Sequence, residues 1–363
     1  MKLKRFVLKN FRNHAELNMK FQDRMNILVG RNASGKTSIL EAIYVLGTTK
    51  SHRTSTVKEL ISYESDGFYI KGEAHGLNSS FIVEIGCPRK GKRILKLNND
   101  TVRLRRDLVG KIPVVFFSPE DLNIVKADPS FRRKFLDIMI SQLSLSYLVG
   151  LQKYQRVLLE RNNALKQIKT GRLEKKMLDV WDEQLIRTGV EIVRKREEII
   201  DRLKELCRAI HERMTGGSER LDIHYKTGTR DAASFEKALG ERKEAEIQQG
   251  ITMSGPHRDD ILIRFNGTEM REYGSQGQHR TAALSLKLAE LELMREIKEE
   301  YPLILFDDVM SELDRERRSF FLDILTGGER GSDIQSFITT TEEGLFGNKG
   351  EGLNIIRMQF TGG

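Results

Sequence analysis

The run from Met25 to Leu40, MNILVGRNASGKTSIL, limits what this chain can fold into more than any other stretch. Ile27-Leu28-Val29 reads as a buried strand. Gly30, four further residues, then Gly35, Lys36 and Thr37 come next, and Ile39, Leu40, Ile43 and Leu46 recur behind them at helical spacing. This is a P-loop pattern in the strand–loop–helix setting that it requires. Such a loop turns the backbone of Gly30, Arg31, Asn32, Ala33, Ser34, Gly35, Lys36, Thr37 and Ser38 around a phosphate, and glycine is needed where a Cβ would block the approach. The helix N-terminus adds partial positive charge. Lys36 can reach the terminal phosphates, and the Thr37 hydroxyl is a ligand for Mg²⁺.

The 363 residues allow two domains, or one domain with a large insertion. Lysine and arginine exceed the acids by 61 to 52, a formal net charge of +9. That excess suits a polyanionic partner without choosing nucleic acid over a membrane surface. Cys87 and Cys207 stand far apart, in no metal-ligand spacing, which fits a reducing cytosol and predicts a cytoplasmic protein. The start, MKLKRF, carries no signal-peptide core, and no apolar run approaches the ~18 residues of a spanning helix, so no membrane partner is expected.

Residues 2–8 alternate as a first strand, and a polar turn, Asn10-Phe-Arg-Asn-His14, leads into a second. Arg12 in that turn is a candidate nucleotide contact. Short strands are expected at 68–73, 81–85, 94–97 and 102–104, forming an antiparallel lobe. This lobe carries Arg89, Lys90, Lys92, Arg93, Lys96, Arg103, Arg105 and Arg106, with Asp100 the only acid between 89 and 106. Such a face can meet a phosphate backbone. Val114–Phe117 is a core strand, and Asp128-Pro129 launches a long helix. Helical spacing over 131–168 and again from 178 to 210, with a polar break at 169–172, predicts two long antiparallel helices packed mainly on each other.

After Thr215-Gly-Gly-Ser218 come a strand at 221–225, a charged helix at 235–247 and the turn Met253-Ser-Gly-Pro-His-Arg-Asp-Asp260. In this turn His257, Asp259 and Asp260 read better as structural than as metal ligands. Asn266-Gly267 marks a hairpin between 261–265 and 268–273. Ser275-Gln-Gly-Gln278 opens a helix and offers a second anion site. Leu303–Phe306 is an apolar strand that ends in Asp307 and Asp308. In a P-loop protein the first of these carboxylates sits beside Mg²⁺. A further strand at 334–338 runs into Thr339-Thr-Thr341.

Taken in this order, the motifs resemble the ABC-type ATPase heads of chromosome-maintenance proteins. Ser275, Gly277 and Gln278 are similar to their signature motif, Asp307-Asp308 to Walker B and Ser311–Asp314 to the D-loop. Over nearly its full length the chain resembles the RecF family of bacterial recombination mediators. The further carriers are Asn10–His14, Ser51-His-Arg-Thr54, Phe131–Asp137, Gly255–Asp259 and Tyr273–Arg280. The resemblance implies an α/β head built from 1–125 and 216–363, with a helical arm inserted at 126–215. It implies an ATP-dependent homodimer in which Ser275, Gly277 and Gln278 of one copy complete the ATP and Mg²⁺ site at Lys36, Thr37 and Asp307 of the other. It also implies binding at single-strand/double-strand DNA junctions, help to RecR and RecO in loading RecA, and roles in replication restart and SOS induction.

Two departures from general ABC heads bear on activity. Asp308 stands where most carry a catalytic glutamate, and threonines stand where they carry a histidine. The shorter carboxylate predicts slow hydrolysis, and both departures are consistent with a weak, DNA-stimulated ATPase used as a switch. A transporter nucleotide-binding subunit is the main alternative, but the arm and the basic lobe fit it badly. A kinase has no use for the 275–278 turn, and a nuclease needs a further acidic metal cluster.

Overall fold

The structure is a computed structural model that describes residues 1–326, 334–342 and 353–358. The chain opens with β1 (Lys2–Phe11), β2 (His14–Lys20), β3 (Met25–Val29) and α1 (Lys36–Thr48). Then come β4 (Gly67–His75), β5 (Ser80–Pro88), β6 (Ile94–Leu97), β7 (Asp100–Thr101) and β8 (Val114–Phe117). The helices α2 (Leu122–Lys126), α3 (Pro129–Leu143), α4 (Leu145–Lys169) and α5 (Leu178–Met214) follow. Next are β9 (Leu221–Lys226), α6 (Ala232–Gln249), β10 (Asp260–Phe265), β11 (Thr268–Glu269), α7 (Met270–Tyr273) and α8 (Gln276–Lys298). The last elements are β12 (Leu303–Asp307), α9 (Arg315–Thr326), β13 (Ser336–Thr340) and β14 (Leu353–Arg357). The chain divides into two compact units, Met1–Asp121 with Glu290–Gly363, and Leu122–Ala289.

The first unit holds two sheets. One has the order β14-β3-β13-β12-β8, and all its pairings are parallel. Its inner strands, β3, β13 and β12, are buried along almost their whole length, as strands covered on both faces must be. The other is antiparallel, in the order β2-β1-β4-β5-β6-β7. Along β4 burial alternates residue by residue, so one face meets the core. Strands of both sheets contact α1, and nearly all of that helix is buried. The strand expected at 102–104 is absent; pairing ends with the short β7, and a 3₁₀ turn occupies Arg105–Asp107.

In the second unit the helix expected over 131–168 is broken at Ser144. Its backbone is extended there (φ −139°), and its hydroxyl accepts from Tyr147 N at 3.2 Å to cap α4. Asp128 caps α3 with Pro129 at the first turn, as expected. The unit takes in more than the 126–215 arm: residues 216–289 group with these helices. β9 lies along α5, and α6 packs on both α4 and α5. Ala164, Leu165, Ile168, Leu178 and Ile247 share one small core there. The helices are therefore faced by a sheet, in the order β11-β10-β9, and by a third helix rather than only by each other. Asn266 and Gly267 turn the hairpin with φ of 46° and 85°. Only Thr268 and Glu269 of the expected 268–273 strand pair with β10, and the chain then coils into α7.

Buried charge pins this unit. Arg196, 2% exposed, donates to Tyr147 Oη (3.0 Å), Pro256 O (2.7 Å) and Asp137 Oδ1 (2.8 Å). Arg161 donates to Asp182, Glu246 and Thr252 at 2.6, 2.7 and 2.9 Å. Removing one partner of such a pair strands the other in a dry site. Arg196→Ala is expected to destabilise this unit by about 3–5 kcal/mol. Denaturant unfolding followed at Trp181 checks it; a midpoint close to that of the parent would contradict the role given to Arg196.

Candidate nucleotide-binding site

β3 delivers the chain into the loop Gly30–Gly35, and α1 begins at Lys36. A Cβ on Gly30 would lie 2.9 Å from Met358 O and 2.8 Å from Ser34 Oγ. Gly35 has φ +90°, and a Cβ there would collide with His14 and lie 2.7 Å from Asn13 Nδ2. The β1–β2 turn therefore presses directly on the loop. His14 Nε2 stands 2.9 Å from Gly35 O; a carbonyl only accepts, so this nitrogen carries the proton. Burial lowers the His14 pKa, and the bond to Gly35 opposes that.

Lys36 is buried, and its Nζ donates to Gly30 O (2.7 Å) and Arg31 O (2.9 Å). Burial lowers its pKa, while Asp308 and Asp307 pull it back up. Arg31, Asn32 and Ala33 are exposed, whereas Ser34 and Ser38 are buried. Among the described residues Ser34 Oγ has no hydrogen-bond partner. A buried orphan hydroxyl beneath glycine-lined backbone is what a phosphate oxygen would satisfy.

Thr37 Oγ1 donates to Asp307 Oδ1 at 2.7 Å. Hydroxyl and carboxylate side by side suit a hard cation such as Mg²⁺. Thr339 Oγ1 lies 2.9 Å from the same Asp307 oxygen and accepts from Asp308 N at 3.0 Å. Asp308 is exposed and left-handed, with φ 56°. Thr339 was visible in the sequence only as the residue replacing a histidine. Its contact follows from the register, which sets Asp307 beside Thr339.

Arg12 is turned to Glu41 of α1: its Nε and Nη2 donate to the two carboxylate oxygens at 2.9 and 2.8 Å. Ser51 Oγ donates to Glu41 at 2.5 Å, and Arg53 stands 3.6 Å away. Burial pushes the Glu41 carboxyl up, but the bonds from Arg12 and Ser51 outweigh it and hold the group below the ordinary carboxylate range. Sequence reasoning missed Glu41; the available signal was a lone acid within the apolar run of α1.

Ser275 and Gln278 cap α8 reciprocally: Ser275 N donates to Gln278 Oε1 (2.9 Å), and Gln278 N donates to Ser275 Oγ (3.2 Å). Ser275 and Gly277 are exposed, and a Cβ on Gly277 would meet nothing. The side chains of Ser311 and Glu312 lie outside the described residues. Of the basic lobe residues, Arg89, Lys90, Lys92, Arg103 and Arg105 are exposed, and Arg93 and Arg106 are half-buried. Arg89 is tied to Ser65 O (2.9 Å) and Ser62 O (3.2 Å). Partial desolvation and then the charge of Arg93 lower the Arg105 pKa.

A parallel sheet with a P-loop, a following acid at the end of β12 and an antiparallel lobe define an ABC-type ATPase head. The family model described as RecF/RecN/SMC N terminal domain matches residues 2–361. The DNA replication and repair protein RecF of Bacillus cytotoxicus is 43% identical over 343 residues, 92% of this chain and 90% of that protein. The same protein from Halothermothrix orenii is 42% identical over 353 residues, 94% and 92% of the two chains. A recombination mediator protein RecF solved as RecF-ATPrS superposes with a TM-score of 0.88 at 34% identity, covering 94% of this chain and 93% of that one. An Smc head bound to the winged-helix domain of ScpA, at 14% identity and a TM-score of 0.55, shares the fold. The chain belongs to the RecF family.

The Thr339 contact gives a direct test of the cation site. Thr339→Val keeps the shape but removes the hydroxyl from Asp307 and Asp308. The Mg²⁺ concentration for half-maximal nucleotide turnover should rise about tenfold or more. An unchanged Mg²⁺ dependence would remove Thr339 from the site.

Proposed function

We propose that this chain is an ATP-dependent DNA-binding switch of recombinational repair. Its copies close face to face on two ATP molecules and hold DNA at single-strand/double-strand junctions. There it helps RecR and RecO to load RecA, in the cytoplasm and with no membrane partner. The observation that carries the reading is the constellation of Lys36, Thr37, Asp307 and Thr339 around a glycine-lined loop. The relatives named for DNA replication and repair, and the structural relative solved as RecF-ATP at 34% identity and a TM-score of 0.88, support it.

In this reading Lys36 exchanges the two loop carbonyls for the β- and γ-phosphates, and the loop N–H groups and Ser34 hold the phosphate oxygens. Thr37 and Asp307 would hold Mg²⁺, which when bound would offset the negative charge of the phosphates. Arg12, fixed by Glu41 beside the turn that touches Gly35, borders the nucleotide. Ser275, Gly277 and Gln278 at the exposed start of α8 supply donors to the γ-phosphate of the partner copy. Asp308 orients the attacking water through a short side chain, so turnover is slow and binding rather than hydrolysis sets the dimer lifetime. Apart from Lys96, which stands 4.0 Å from Glu84, the cations of the lobe from Arg89 to Arg106 form no ion pair among the described residues and suit a phosphate backbone.

Paired variants separate these roles. Lys36→Met should abolish ATP binding in equilibrium titrations. Ser275→Arg should bind ATP as the parent does, yet form no ATP-dependent dimer on sizing. A Ser275→Arg chain that still dimerises with ATP would defeat the assignment of Ser275 to the partner's site.

A further inference from the structure

The turn Ser254–Asp260 has no part in the nucleotide site, yet its chemistry is unusual for a plain turn. Gly255 has φ +128°, and a Cβ there would stand 2.5 Å from Tyr154 Oη, so the backbone must run tight against α4. His257 Nδ1 meets Tyr154 Oη at 2.6 Å and its Nε2 meets Thr252 O at 3.1 Å. Those bonds lock one side of the turn into the unit. The other side faces a cavity of about 420 Å³, walled also by the β9–α6 connection and by α6.

Three cations line that cavity: Lys226, Arg242 and Arg258. Among the described residues none of them pairs with a carboxylate. Arg242 is steadied by Met253 O at 2.9 Å and Arg258 by Thr252 O at 3.4 Å, so each guanidinium is placed without being neutralised. The hydroxyl residues Thr227, Thr229 and Ser254 line the same space. Its two carboxylates are already taken. Asp260 holds Arg132 through both oxygens, at 2.6 and 3.0 Å. Asp259 accepts from Tyr225 Oη at 2.6 Å, and burial raises its pKa.

We propose that this cavity is a binding site for a phosphate group, gripped by Arg242, Arg258 and Lys226 and by the neighbouring hydroxyls. One arginine satisfies a carboxylate, whereas a phosphate presents more oxygens and is matched by several donors at once. The volume accepts a phosphate together with the sugar that bears it. Two sources share this chemistry, a DNA phosphodiester and a small phosphate ligand.

The test uses the full chain carrying Lys36→Met, so that phosphate held by the P-loop plays no part. Arginine modification by phenylglyoxal is followed residue by residue by mass spectrometry, with exposed Arg172 as the internal reference. Inorganic phosphate, a short DNA duplex and a polyglutamate peptide are each added. Slower modification of Arg242 and Arg258 relative to Arg172, by several-fold, is expected with phosphate or with the duplex. Protection by phosphate alone identifies a small ligand, and protection by the duplex alone identifies the DNA backbone. No protection beyond Arg172, or protection by polyglutamate only, overturns the proposal. As a second readout, Arg242→Gln combined with Arg258→Gln in the parent chain should keep ATP binding while lowering affinity for the protecting probe several-fold. Unchanged affinity for that probe also overturns it.

Discussion

The head depends on one short chain of hydrogen bonds, from Thr37 of α1 to Asp307 of β12 to Thr339 of β13. The sheet order places β13 between β3, which carries the P-loop, and β12, which carries the carboxylates. The phosphate loop and its acid are thus not on neighbouring strands, and the two hydroxyls bridge that gap. β3, β12 and β13 are buried nearly throughout and pair in parallel register. All the polar side chains of the site then emerge together at their carboxyl ends, where open α/β sheets bind ligands.

A second constraint is electrostatic. Glu41 is fully buried, and Arg12, Ser51 and Arg53 converge on it. An unpaired carboxylate there would be strongly unfavourable, so the β1–β2 turn and the segment after α1 are held to the P-loop helix. Left-handed backbone at Asn10 and Arg12 (φ 51° and 53°) shapes the turn for this contact and brings His14 onto Gly35. The antiparallel lobe with its basic residues is thereby linked to the P-loop.

Much of this was legible in residue order. The P-loop, the carboxylate pair after an apolar strand, the Asn266-Gly267 hairpin and the Asp128-Pro129 helix start each carry a local signature, and each lies where its pattern predicts. Features decided by distant partners were not legible. Hydrophobic period marks α1 as buried but does not say that Glu41 has two arginines to meet it. The spacing over 131–168 is continuous through Ser144, and only its capping bond shows the break. The seam of α4 and α5 suggested a pair sufficient to itself, because nothing in their own sequence announces that β9 and α6 return to cover them. The Gly255–Asp259 run was recognisable as a motif, but the cavity on its outer side forms only because the β9–α6 connection and α6 fold back beside it.

The central claim is that nucleotide at the P-loop controls association of two copies. Sedimentation velocity of the unaltered protein with ATP, with ADP and without nucleotide, each with and without a junction DNA, tests it most directly. A dimer that appears only with ATP and holds the junction more tightly is the expected result. A single monomer boundary under every condition would contradict the claim and leave the exposed Ser275 as a helix cap alone.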